Sequence, residues 1–185
     1  MDVAIAAIET SSIAQGALVG DAMVKTATVE LVEARMLSPG KFWVLIGGGV
    51  AEVRAAWRRG LEVAAETRLD SLFIPQLDPG VMPALSGTAE AADHDALGVI
   101  ETLSAASAIV AADRAAKTAA IRLRQIRLAN GIGGKGVVHL TGLVADVQAA
   151  VDAGRAEPLG AGMLVRSVVV PRLHAQMKAR LWEVR

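Results

Sequence analysis

The chain has 185 residues with 19 basic and 19 acidic side chains, so its formal charge is zero and it lacks the electrostatic footprint of a nucleic-acid binder. It has no cysteine, which excludes disulfides, thiolate nucleophiles and cysteine-held zinc or iron–sulfur centres. Hydrophobic residues make up 53% but aromatics only 3%, a surplus of Ala, Val, Leu and Ile that suits close backbone packing and surface hidden in an oligomer.

In chain order, Val3 to Ile8 reads as a buried strand, after a Met-Asp-Val start with no basic leader. No apolar run reaches the ~18 residues of a membrane span, so a cytoplasmic protein is expected. From Ser12 the period becomes helical, with Ile13, Gly16, Ala17, Gly20 and Val24 on one face and Ser11 or Ser12 as the cap. Val29 to Met36 alternates as a half-exposed strand, Ser38-Pro39-Gly40 is a turn, and Lys41 to Ile46 returns as its hairpin partner. An amphipathic helix over Val50 to Thr67 and a strand over Leu72 to Ile74 complete a β-α-β-β-α-β order.

The same order then repeats. Ala4 to Ala27 returns 92 residues later as Ala96 to Ala119, with ten of 24 positions identical. Glu9-Thr10 recurs as Glu101-Thr102, and Asp21 and Lys25 recur as Asp113 and Lys117. The second hairpin is Ile121–Leu128 with Lys135–Thr141, followed by a helix over Val144 to Ala153, a strand over Met163 to Val170 and a terminal helix from Pro171 to Val184. The second turn, Asn130-Gly131-Ile132-Gly133-Gly134, is two residues longer than the first. Pro79 to Asp95 connects the copies, and the domains are set at 1–85 and 96–185 with 86–95 as the linker. A duplicated unit of about 90 residues with this element order is an α/β (α+β) sandwich, its mixed, mainly antiparallel sheet covered by helices.

Few residues suggest chemistry. Glu9 and Glu101 have no companion acid, histidine or metal ligand, so capping or interface hydrogen bonds are expected of them rather than catalysis. The three histidines, His94, His139 and His174, lack metal-ligand spacing, and Trp43, Trp57 and Trp182 read as core or contact anchors. Lys25 and Lys117 suit helix C-termini and pair with Asp21 and Asp113 at i−4. Gly131, Gly133 and Gly134 fit either a crowded turn or an anion-binding nest of backbone N–H groups. GIGGKG has neither Walker nor Rossmann spacing.

The duplicated E-T…D-x-x-x-K-T-A pattern, the glycine-bearing turn before Lys41 and Lys135, and the closing Val-Pro-Arg-Leu-His resemble the tandem-domain shell proteins of bacterial microcompartments over nearly the whole chain. The likeness is greatest to the trimeric propanediol-utilisation subtype, in unpermuted order. The resemblance implies a homotrimer with pseudo-sixfold symmetry, a hexagonal tile that meets hexameric and pentameric shell proteins edge to edge, with no enzymatic activity and no nucleic-acid or membrane partner. It also implies that Ser38, Pro39, Gly40 and Asn130 to Gly134 line an axial pore for small polar metabolites, while Lys25, Lys117, Asp21, Asp113 and Arg172 lie at the tile edge. Where Arg172 follows Pro171, Gln76 follows Pro75. The redox subtype carries an axial iron–sulfur cluster on a turn cysteine, but here that position is Ser38, so no cofactor is expected. A redox tile and a ligand-binding trimeric regulator are the alternatives from other functional classes.

Overall fold

The computed structural model describes residues 4–90 and 96–181; His94, Trp182 and the expected strand start at Val3 lie outside them. The first copy runs β1 (Ala4–Thr10), α1 (Ile13–Thr26), β2 (Glu30–Leu37), β3 (Lys41–Gly48), α2 (Val50–Ala64) and β4 (Arg68–Ile74). A short α3 (Val81–Ser86) follows. The second copy runs β5 (Ala96–Thr102), α4 (Ala105–Thr118), β6 (Ile121–Leu128), β7 (Gly136–Gly142), α5 (Val144–Gly160) and β8 (Leu164–Val170), and α6 (Ala175–Leu181) ends the described chain.

Each copy forms a four-stranded sheet, ordered β2-β3-β1-β4 and β6-β7-β5-β8. Among the described residues every pairing is antiparallel, without the parallel component expected of a mixed sheet. The reason lies in the crossovers: each helix returns the chain to a strand opposed to its neighbour. The copies even share irregularities, with register shifts after Leu31 and after Leu123.

Side-chain alternation explains why β1 is apolar from Ala4 to Ile8. Ala4, Ala6 and Ile8 join Val19, Met23, Val53 and Ala56 beneath the first copy's own helices. Ile5 and Ala7, on the other face, join Trp43, Leu45 and Leu72 in a cluster continuous with the second copy's core. A strand buried on both faces has no polar side to show. Ser12 and Ser104 cap α1 and α4, accepting from the backbone N–H of Gln15 at 3.2 Å and of Ser107 at 3.1 Å.

Four expectations need correction. The connector holds α3, because Val81 and Ala84 are buried and Gly87 closes it in the left-handed region at φ +76°. Helix α5 continues past Ala153, since Gly154 is a point of close approach to α4 rather than a stop. Helix α2 ends at Ala64 in a 3-10 turn, and β4 starts at Arg68. Finally, α1 buries Gly16, Val19, Gly20 and Met23, while Ile13 and Val24 of the expected apolar face are exposed in the single chain.

Candidate functional site

Both hairpin turns lie at the same end of the molecule and touch. The first turn carries Gly40 at φ +83°, and the second has Ala129, Gly131, Gly133 and Gly134 at φ between +60° and +80°. The backbone N–H of Ser38 donates to Asn130 Oδ1 at 3.3 Å, and Lys41 Nζ donates to the Gly134 carbonyl at 3.3 Å. A Cβ on Gly134 would stand 2.8 Å from Pro39 Cδ and 2.9 Å from the Ser38 carbonyl oxygen, so this glycine is demanded by crowding as well as by dihedral. The N–H groups of Ile132 and Gly134 both donate to the Ala129 carbonyl at 3.2 Å. The Gly134 amide, committed inside the loop, is thereby withdrawn from an anion nest. Ser38, Pro39, Gly40, Asn130, Gly131 and Gly133 are exposed, Ile132 is half-buried and Gly134 is buried.

Behind the turns, each repeated glutamate meets the lysine that opens the next strand. Glu9 is fully buried; one oxygen accepts from Lys41 Nζ at 2.7 Å and the other from the backbone N–H of Ala105 at 2.8 Å. The carboxylate thus serves the positive N-terminal end of α4 in the other copy, the capping and interface role expected of it. Glu101 pairs with Lys135 at 2.6 Å but stays part-exposed. Asp70, which no sequence pattern marks, accepts at one oxygen from the hydroxyls of Ser104 and Ser107, the latter at 2.7 Å.

The outer residues are arranged in the same unequal manner. Among the described residues Lys25 reaches only the Asp21 carboxylate, at 2.7 Å, and both are well exposed. Lys117 bonds Asp113 at 2.7 Å and also the Gln76 carbonyl, while Asp113 is buried and accepts from the Asp78 backbone N–H at 2.8 Å. The second pair therefore stitches the copies together. Arg172 is exposed just beyond β8. Trp43 is a core anchor and Trp57 stacks on Phe73 with 5.6 Å between ring centroids. Burial, then the nearby Arg127 charge, lowers the His139 pKa from 6.5 to about 4.

The donor set at the turns does not fit an iron–sulfur cluster: the first turn offers the Ser38 hydroxyl and the second no thiolate. Among the described residues no group of three or more His, Asp or Glu is placed to hold a metal ion, and no helix is long and apolar enough to cross a membrane.

Comparison with known proteins agrees with the repeat. The BMC domain family model matches residues 4–77 and again 96–173. The chain is 39% identical to the bacterial microcompartment shell protein PduT of Citrobacter freundii over 183 residues, 99% of this chain and 100% of that one. It is similar to the crystal structure of a microcompartment protein from Desulfitobacterium hafniense, with a TM-score of 0.85 and 45% identity over 97% of this chain and 99% of that one. A fused permuted hexameric shell protein from the RMM microcompartment superposes with a TM-score of 0.62 at 26% identity, covering 86% of this chain and 84% of that one.

Proposed function

The chain belongs to the BMC-domain family of microcompartment shell proteins, and from that premise we propose that it is a non-enzymatic structural tile in the shell of a bacterial microcompartment, working as a homotrimer of two-domain chains. The two units are 1–85 and 96–185. Three chains present six copies around one axis, and the tile joins other shell proteins edge to edge.

The observation that carries this reading is the meeting of the turns, Ser38 with Asn130 and Lys41 with Gly134. A chain that gathers both Gly-rich turns at one point, largely exposed, supports an axis ringed by Ser38 hydroxyls and by backbone groups of 38–40 and 130–134. Such an opening suits small polar metabolites, since its lining offers hydroxyls and peptide dipoles rather than a charged ring. Lys25, Asp21 and Arg172, exposed in the single chain, supply contacts to neighbouring tiles, whereas Lys117 and buried Asp113, in the corresponding places of the second copy, are taken up by the contact between the copies.

Light scattering followed by negative-stain microscopy tests the proposal. Particles of three chains that form hexagonal sheets are expected. A monomer or dimer that never forms sheets overturns it.

A further inference from the structure

Asn130 is the only asparagine among the 185 residues, and it stands directly before a glycine. A side-chain amide so placed is open to attack by the next residue's backbone nitrogen, which closes a five-membered ring, and glycine puts no Cβ in the way. Burial of the pair, or a hydrogen bond from that nitrogen, suppresses the attack. Neither holds here. Asn130 and Gly131 are both exposed, with Gly131 in the left-handed region at φ +75°. Among the described residues no group accepts from the Gly131 N–H, whereas the amides of Asn130, Ile132 and Gly134 donate to the Leu128 and Ala129 carbonyls.

Two neighbours assist the attack. The Ser38 N–H donates to Asn130 Oδ1 at 3.3 Å, the oxygen on which negative charge develops as Cγ becomes tetrahedral. Arg127 holds a guanidinium nitrogen 3.9 Å from where a Cβ on Gly131 would stand, and a nearby cation favours the deprotonated, nucleophilic amide.

We propose that Asn130-Gly131 is a self-modifying site that turns the neutral second loop into an acidic one. The Gly131 nitrogen gives its proton to water and bonds to Asn130 Cγ. The Cγ–Nδ2 bond breaks, and Nδ2 takes up a proton and leaves as ammonia. Water then opens the ring, at one carbonyl to aspartate and at the other to isoaspartate. The exchange is hydrolytic throughout. The aspartate product keeps the bond from Ser38, now charge-assisted, so the two turns stay joined. The consequence for permeation rests on the tile reading: three such turns around one axis replace three amides by three carboxylates, in chains whose formal charge is zero. The opening then favours cations over anions.

Freshly purified protein kept in warm, mildly alkaline buffer should gain one mass unit per chain, mapped to the peptide that carries Asn130. The folded protein should gain it no more slowly than the same chain unfolded in urea. Asn130→Gln should gain nothing. Arg127→Gln should slow the gain several-fold and Arg127→Lys should restore it, with unchanged circular dichroism showing that both variants fold. A folded protein that gains mass many-fold more slowly than the unfolded chain, or at another residue, overturns the site; an Arg127→Gln rate equal to that of the wild type overturns the part given to the guanidinium. On native anion exchange the aged three-chain particle should separate into species with none, one, two or three added charges. In planar bilayers the Asn130→Asp particle should show a reversal potential shifted toward cation selectivity relative to fresh wild type, and no shift overturns the pore consequence alone. A wild-type chain that runs as a monomer in light scattering overturns the tile while leaving the mass gain standing.

Discussion

Lys41 neutralises a carboxylate that has no access to water, because Glu9 is wholly buried and faces α4. Removing one member of a buried pair leaves the other charge uncompensated, so Lys41→Met should cost about 3–5 kcal/mol in urea unfolding. Lys135→Met acts on a part-exposed pair and should instead weaken association. His139 gives a pH dependence of definite sign. Its folded pKa of about 4 lies below the ordinary 6.5, so the unfolded chain binds the proton first as pH falls. Stability is then complete above about 6.5 and declines between 6.5 and 4, by at most ~3 kcal/mol. His139→Leu, which installs the residue found at Leu45 in the first copy, should flatten the melting temperature across that window. Glu9 as a cap was legible from its lack of catalytic companions, but its target was not, because Ala105 lies 96 residues away in the chain.

At the scale of elements, the copies keep helix and strand in contact by different means. Gly16 on α1 makes room for Phe42, whereas in the second copy Ala108 on α4 meets Gly136 on β7. The bulk has moved across the contact while the contact remains. Gly60 and Gly154 both permit close approach, with unequal tolerance. A Cβ at Gly60 meets the ends of the Ile8 and Met23 side chains, which can turn aside, but at Gly154 it stands 2.7 Å from the Ala111 carbonyl oxygen. Gly154→Ala should destabilise by about 1–3 kcal/mol, and Gly60→Ala by less, in paired thermal melts. The same position explains the truncated sequence reading of α5: a glycine that ends a helical pattern on paper is, in three dimensions, where two helices touch. Helix α3 was hidden for a related reason, as its Pro- and Gly-bearing segment is held by burial of Val81 and Ala84 rather than by helix propensity.

On the scale of the whole molecule, the first copy's α1 and β2 present apolar side chains to solvent while their second-copy counterparts are covered. This surplus is the three-dimensional form of the high apolar and low aromatic composition. In the proposed tile, exposed Lys25 lies at the tile edge, so Lys25→Ala should weaken sheet formation several-fold while the three-chain particle stays intact in light scattering. Raising the salt should weaken sheets of the unaltered protein in the same direction, since exposed ion pairs are screened.

Duplication, element order and family were determined by the sequence itself, because a repeated charged pair at one offset and a period that shifts between two and 3.6 residues are local signals. The tertiary structure decided which of two near-identical motifs is satisfied within the chain. Asp113 and Lys117 bind across the copies and Asp21 and Lys25 do not; Glu9 is buried and Glu101 is not. No local pattern distinguishes them, since their sequences match. What separates them is adjacency: a single chain supplies one neighbour for its second copy and none for the exposed side of its first.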